Sequence, residues 1–250
     1  GRARILGVHS RNKKLDCGVD LNVVARATMG FSGAELANIM NEAAIMAARD
    51  SRTIIQSHDI DEAIEKTIIG LKRNIKVSEA TKKLVAYHEA GHALLGALLD
   101  GPDTIRKVTI TPRGKSGGVT IFFPSEPQDM QMVSRQYLRN RIMIALGGTI
   151  AEEIVLGPDN VTTGATSDIQ QVTGIATAMV KEYGFSETFG KSKVNREDSD
   201  VEMEVKLIVD GAYKEAYSII STYRDKLDAI ASALIKYATN DNKKFKEIVQ

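Results

Sequence analysis

Hydrophobic positions along this chain recur mostly three and four residues apart, the spacing that gathers them on one face of a helix. Ile5, Leu6 and Val8 set the first such face within Ala3 to Ser10, and Asp20 can cap a second helix through Leu21, Val24 and Ala25. Ser32 and Glu35 then form a capping box, each side chain satisfying a free amide at the helix start. Leu36, Ile39, Met40, Ala43, Ala44 and Ala47 follow as a buried stripe. Asp50 and Ser51 end that helix, Thr53-Ile54-Ile55 is a short extended piece, and Ile60, Ala63, Ile64 and Ile68 mark a helix entered at Ser57 or His58. Residues 1–75 are therefore expected to form a small helical bundle. The charges of Arg49, Arg52, Glu62 and Lys66 read as its solvated face.

Gly70 to Val77 has the basic, glycine-led composition of a linker, and Ser78 caps the next helix, which should stop at Asp100-Gly101-Pro102. The period then changes to two. Arg106–Thr111 and Val119–Phe123 alternate and carry β-branched residues, so they are expected as paired strands across the turn Pro112–Gly118. Arg113 and Lys115 read there as a solvated turn. After a loop from Pro124 to Gln131, a helix capped by Ser134 is expected to pause at Gly147-Gly148 and to resume through Ile150–Val155. The paired glycines would let another backbone approach. A further helix opens at Asp168 and runs through Val172, Ala176 and Met179; Lys191 to Asp200 is polar; two helices, through Ala212 and Leu234, close the chain. The expected fold class is mainly α with a small β-sheet or hairpin, divided at about residue 75 into segments 1–75 and 76–250.

Composition narrows the function more than the fold. With 33 Lys and Arg against 32 Asp and Glu the chain is nearly neutral, and it has no Trp, so neither a basic groove nor a stacking platform for nucleic acid is indicated. Cys17 is the single cysteine and cannot form an internal disulfide. No run reaches the eighteen or so apolar residues of a membrane span. The start, Gly1-Arg2-Ala3-Arg4-Ile5-Leu6, enters directly on an amphipathic pattern without Met, which suggests a piece of a longer protein.

The chemistry concentrates in Tyr87-His88-Glu89-Ala90-Gly91-His92. Residues four apart on a helix share a face, so His88 and His92 can offer both imidazoles to one small volume. Zinc accepts two such nitrogens at about 2.0–2.1 Å and leaves places for a third ligand and a water. Glu89 is turned about 100° from His88 and can hold that water without binding the metal. Zinc lowers the pKa of water from about 15.7 to roughly 7, and a neighbouring carboxylate can take the proton as the water attacks a polarised carbonyl. The competing account is a core helix with two satisfied histidines. Half of the four histidines lie in this pair, inside an apolar helix where unused rings would cost free energy, and both facts weigh against it. Asp168, in the first turn of its helix, suits a third zinc ligand and suits a simple N-terminal acid equally. Glu152 and Glu153 are each candidates for the metal's surroundings or for plain exposed acids. The chain contains no G-x-x-x-x-G-K-[ST] phosphate loop.

With these residues laid out, the chain resembles the FtsH family of membrane-anchored, ATP-dependent zinc metalloproteases over nearly its whole length. Gly30-Phe31-Ser32-Gly33-Ala34-Glu35-Leu36 with Asn41-Glu42-Ala43-Ala44 is similar to the helical lid of that family's AAA ATPase module, and His88 to His92 to its zinc motif. Thr111-Pro112-Arg113-Gly114, Leu146-Gly147-Gly148 with Ala151-Glu152-Glu153, and Thr162-Thr163-Gly164-Ala165 with Asp168 fall in the family's order. Thr149 and the tail from Ala238 to Val249 depart from it. The resemblance implies a helical lid over residues 1–75 and a zinc metallopeptidase domain over 76–250. It implies Asp168 as third zinc ligand, Glu89 as catalytic base, and six copies, alike or mixed, in a ring enclosing the proteolytic sites. It also implies that ATP acts only through an upstream ATPase core, that a membrane anchor precedes that core, and that the membrane is bacterial, mitochondrial or chloroplast. Unfolded or membrane proteins would be the substrates. The alternative is a proteolytically inactive structural or chaperone subunit, which the intact set His88, Glu89, His92 and Asp168 disfavours. A protease for many unfolded chains can grip backbone rather than side chains, and Gly117 to Phe123 is the candidate edge strand, an interior strand being the other possibility. On that reading Thr120→Pro weakens substrate binding and Thr120→Val is mild.

Overall fold

The structure, a computed structural model, describes residues 1–73, 75–100, 103–114, 116–124, 132–191, 198–241 and 245. Gly101-Pro102, Lys115, the loop from 125 to 131, most of the polar stretch after Lys191 and nearly all of the tail beyond 241 lie outside the described residues. The fold is mainly α. It forms two compact units, Gly1–Ile75 with Pro112–Ser116, and Lys76–Thr111 with Gly117–Gln250.

The first unit contains α1 (Arg2–Ser10), β1 (Lys14–Leu15), α2 (Leu21–Ala27), α3 (Gly33–Arg49), β2 (Ile54–Ile55) and α4 (Ser57–Ile69). Side chains close the starts of α2 and α3. Asp20 accepts the Asn22 amide at 2.7 Å; the Ser32 amide donates to Glu35 at 2.7 Å and the Glu35 amide to Ser32 Oγ at 3.3 Å. Leu36, Ile39, Met40, Ala43 and Ala47 bury one face of α3. The unit is not wholly helical. Lys14 and Leu15 pair in parallel with Ile54 and Ile55, so the extended piece expected at Thr53–Ile55 is there, while its two-residue partner is too short for alternation to be read in the sequence.

Its charges are also less solvated than the sequence suggests. Arg52 grips buried Asp59 through both nitrogens at 2.7 Å, and Lys66 meets Glu42 at 2.6 Å. Arg113 is buried, with its guanidinium 2.8 Å from Glu62 and 2.9 Å from Glu65, so the solvated-turn reading of this residue is wrong. A turn residue far along the chain finds carboxylates on α4 that no local pattern could assign to it.

The second unit contains α5 (Glu79–Leu98), β3 (Asp103–Thr109), β4 (Val119–Pro124), α6 (Arg135–Leu156), α7 (Thr166–Lys181), α8 (Asp198–Thr222), α9 (Arg224–Tyr237) and β5 (Thr239–Asp241). Ala90, Leu94, Ile142, Ile150, Val172 and Ala216 are among the core residues that join the helices. α6 is one unbroken helix, against the expected pause at Gly147-Gly148. The glycines serve packing instead: a Cβ on Gly91 would lie 2.1 Å from the Gly147 carbonyl oxygen, and one on Gly147 would lie 2.7 Å from that of Gly91. The helical period continues through both because the backbone contact with α5 offsets the modest cost of glycine in a helix.

The sheet order is β4-β3-β5, with both pairings antiparallel. β3 begins three residues earlier than expected, and β5 was not legible as a strand at all. Val108 faces Thr120 and Thr109 faces Val119, with a slip in register between Ile105 and Lys107. Among the described residues β4 is therefore an edge strand and β3 the interior one.

Candidate metal centre

α5 starts at a Ser78 cap, whose hydroxyl accepts the Thr81 amide at 3.1 Å, and buries Ala86, Ala90, Ala93 and Leu94. His88 and His92 lie together on the opposite side of the helix, and their side chains are also largely covered. Their Nε2 atoms lie 3.1 Å apart, and Asp168 Oδ2 lies 3.3 Å from His88 Nε2 and 3.6 Å from His92 Nε2. Asp168 comes from the first turn of α7, reached through the tight turn Thr163–Ala165. Four ligands at about 2.0–2.1 Å around a tetrahedral zinc stand roughly 3.3–3.4 Å from one another. The three observed separations bracket that edge, so the donor set fits zinc.

The outer ring nitrogens fix which atoms face inward. His88 Nδ1 lies 2.8 Å from Glu152 Oε1, and His92 Nδ1 lies 2.7 Å from the carbonyl oxygen of Ile144. A carboxylate and a carbonyl only accept, so both Nδ1 atoms donate, and in the neutral rings both Nε2 lone pairs point toward Asp168. Glu152 is fully buried and also accepts the Thr162 amide at 2.8 Å, which ties α6 to the turn that delivers Asp168. Glu153 faces elsewhere and accepts from the Tyr213 hydroxyl. Gly148 makes room for the first ring: a Cβ there would sit 2.5 Å from His88 Nε2.

Burial works to lower the His88 imidazole pKa, but the hydrogen bonds it donates to Asp168 and Glu152 outweigh that and raise it to about 10. Burial also resists ionisation of Asp168, yet the two imidazoles hold its carboxyl well below the usual range. Glu89 is buried beside them. Burial pushes its carboxyl up, while the charges of His92 and His88 pull part of the way back. Its Oε2 accepts a hydrogen bond from Thr120 Oγ1 at 2.8 Å. Thr120→Val keeps the backbone donor but would remove that hydroxyl, a contact the backbone-pairing expectation does not include.

The structure thus brings together His88, His92 and Asp168 and sets Glu89 and Glu152 against them. Thr120, the Thr162 amide and the Ile144 carbonyl are the parts that sequence reasoning missed. For Thr120 the sequence signal was alternation alone, which sets it on one face of β4 with Phe122 but not against α5. For backbone groups there was none.

Two imidazoles one helical turn apart, a carboxylate from a second helix and a buried glutamate beside the first imidazole give the donor arrangement of the H-E-x-x-H class, one that could hold a metal ion. In comparison with known proteins, residues 75–248 match peptidase family M41 and residues 18–62 match the AAA+ lid domain. The chain belongs to peptidase family M41. It is 44% identical, over 98% of its length, to ATP-dependent zinc metalloprotease FTSH 1, chloroplastic, of Arabidopsis thaliana, and covers 37% of that protein. It is 42% identical over its full length to ATP-dependent zinc metalloprotease FtsH 3 of Synechocystis, covering 44% of it. A chloroplastic relative from Capsicum annuum is 45% identical over 94% of the chain, which covers 39% of that protein. The chain therefore spans about two fifths of the curated relatives it matches. Among the described residues no helix is long and apolar enough to cross a membrane.

Proposed function

We propose that this chain is the peptidase part, with an AAA lid, of an ATP-dependent zinc endopeptidase that degrades unfolded or damaged proteins. The observation that carries the reading is the triangle of His88 Nε2, His92 Nε2 and Asp168 Oδ2, with sides of 3.1, 3.3 and 3.6 Å. These three atoms would hold zinc, and when bound there zinc supplies an acidified water and an electrophile for a peptide carbonyl. Glu152 and the Ile144 carbonyl keep the two rings in the ligating tautomer. Glu89 takes the proton released in the attack and passes it to the departing amine, and the upward push that burial gives its carboxyl suits that exchange.

The exposed edge of β4 is proposed to pair with the substrate backbone, a reading supported by its place at the end of the sheet order β4-β3-β5. Residues 1–75 would act as the lid and 76–250 as the peptidase domain. The names of the relatives support ATP dependence, and for the whole protein we propose a six-membered ring in a bacterial or organellar membrane. ATP would act through an ATPase core outside this chain, in keeping with the absence of a phosphate-loop motif from its sequence.

Glu89→Gln tests the reading. The variant is expected to keep about one zinc per chain and to lose cleavage of an unfolded protein by orders of magnitude. Loss of the zinc, or cleavage at the unmodified rate, would overturn the assignment of Glu89 as base.

A further inference from the structure

We propose that Thr120 is a positioning residue for Glu89, an inference that rests on Glu89 acting as the base. The Thr120 hydroxyl has one proton to donate and two acceptors in reach, Glu89 Oε2 at 2.8 Å and the Glu89 main-chain carbonyl at 3.2 Å. The shorter contact is to the side chain. A single hydroxyl on β4 thus pins the carboxylate against the backbone of its own residue on α5, fixing the rotamer of a group that must meet the reacting water in one orientation. Catalytic geometry of this kind is sensitive enough that a displacement of about 1 Å costs on the order of 100-fold in rate.

The strand is itself held at the height this contact needs. Thr120 faces Val108 of the interior strand. Two residues earlier, Gly118 lies so close to α5 that a Cβ on it would stand 2.9 Å from Glu89 Cγ, 2.7 Å from Val85 Cγ1 and 2.8 Å from the Thr109 carbonyl oxygen. Only a glycine lets β4 settle this deeply beside the base. On the far side of Thr120 the Phe122 ring closes on Gly96, where an added Cβ would meet it at 2.4 Å. Two close approaches, one before and one after, therefore lock the hydroxyl in place. The strand proposed to grip substrate is also the strand that orients the base, so one element registers both partners of the reaction.

Thr120→Val, Thr120→Ala and Thr120→Ser in the zinc-loaded holoenzyme, beside Glu89→Gln, test this with an unfolded protein as substrate. Val and Ala are expected to keep about one zinc per chain and the unmodified KM and to lower kcat by about 10- to 100-fold, whereas Ser restores kcat to within about threefold. Ala covers the case in which the second methyl of Val disturbs the fold. Unchanged kcat in both Val and Ala, loss of zinc in both, or failure of Ser to rescue overturns the role of Thr120. Full activity of Glu89→Gln sinks the reading of Glu89 as base instead, so the two failures are distinguishable.

Discussion

Among the described residues two clusters have the residue types and spacing of a metal site, and they differ in what already balances their charge. In the first unit Asp50, His58 and Asp59 bring ligand atoms within 4.8 Å of one another, as His88, His92 and Asp168 do in the second. Arg52 reaches into the first cluster, holding Asp59 through two nitrogens at 2.7 Å and Asp50 at 2.9 Å. The cluster is a closed ion-pair network with its histidine exposed. In the second unit the lone pairs of two imidazoles and a carboxylate converge with the outer nitrogens already committed to Glu152 and Ile144. There a metal cation can take the place of the proton that His88 otherwise holds against Asp168. Proximity of ligand types is therefore weak evidence for a metal; the protonation pattern enforced by the surrounding acceptors is stronger.

The sharpest way to break this contrast is Asp168→Asn, which is expected to abolish stoichiometric zinc binding, measured by metal analysis. Glu152→Gln should cost about 10–100-fold in zinc affinity or activity, because it reorients His88 without removing a ligand. If Glu152→Gln strips the metal and Asp168→Asn does not, the order of roles is reversed. Gly148→Ala forces the His88 ring aside and should cost about 1–3 kcal/mol by overpacking, seen as a lower Tm together with weaker zinc binding.

In the first unit the corresponding break is Arg52→Ala. It takes Arg52 away from Asp59, which is 2% exposed, and Tm of the first unit is expected to fall. The pH dependence follows from the same pair. Arg52 above all, with the Gln56 amide, holds the Asp59 carboxyl below its usual value against the opposing effect of burial. The stabilisation is present above the unfolded value of about 3.9 and is lost as pH falls through the depressed folded value. Tm of the first unit should therefore drop below about pH 4, and Arg52→Ala should flatten that slope. In chelated protein His88 is raised to about 10 and is protonated at pH 7.5, whereas a ligating ring is neutral. Zinc addition at that pH is expected to release about one proton from His88, read by calorimetry in two buffers of different ionisation heat. His58→Ala should do least, leaving zinc stoichiometry unchanged and stability within about 0.5 kcal/mol.

What the sequence by itself determined about this protein is whatever the backbone period fixes locally. His88 and His92 share a face because 3.6 residues make a turn, Ser32 and Glu35 cap α3 because the box closes within four residues, and β4 alternates because strands do. Only the tertiary structure decided between neighbours. Glu152 and Glu153 are indistinguishable in a pattern, yet 100° of rotation sends one to His88 and the other to Tyr213. Arg113 became a buried partner of α4, and Gly148 became the space for the His88 ring inside an unbroken helix. The approach of Thr120 to Glu89 likewise depends on where β4 settles on α5. Each of these is set by which distant surface a residue meets, and free energy of that kind is not encoded at the residue's own position in the chain.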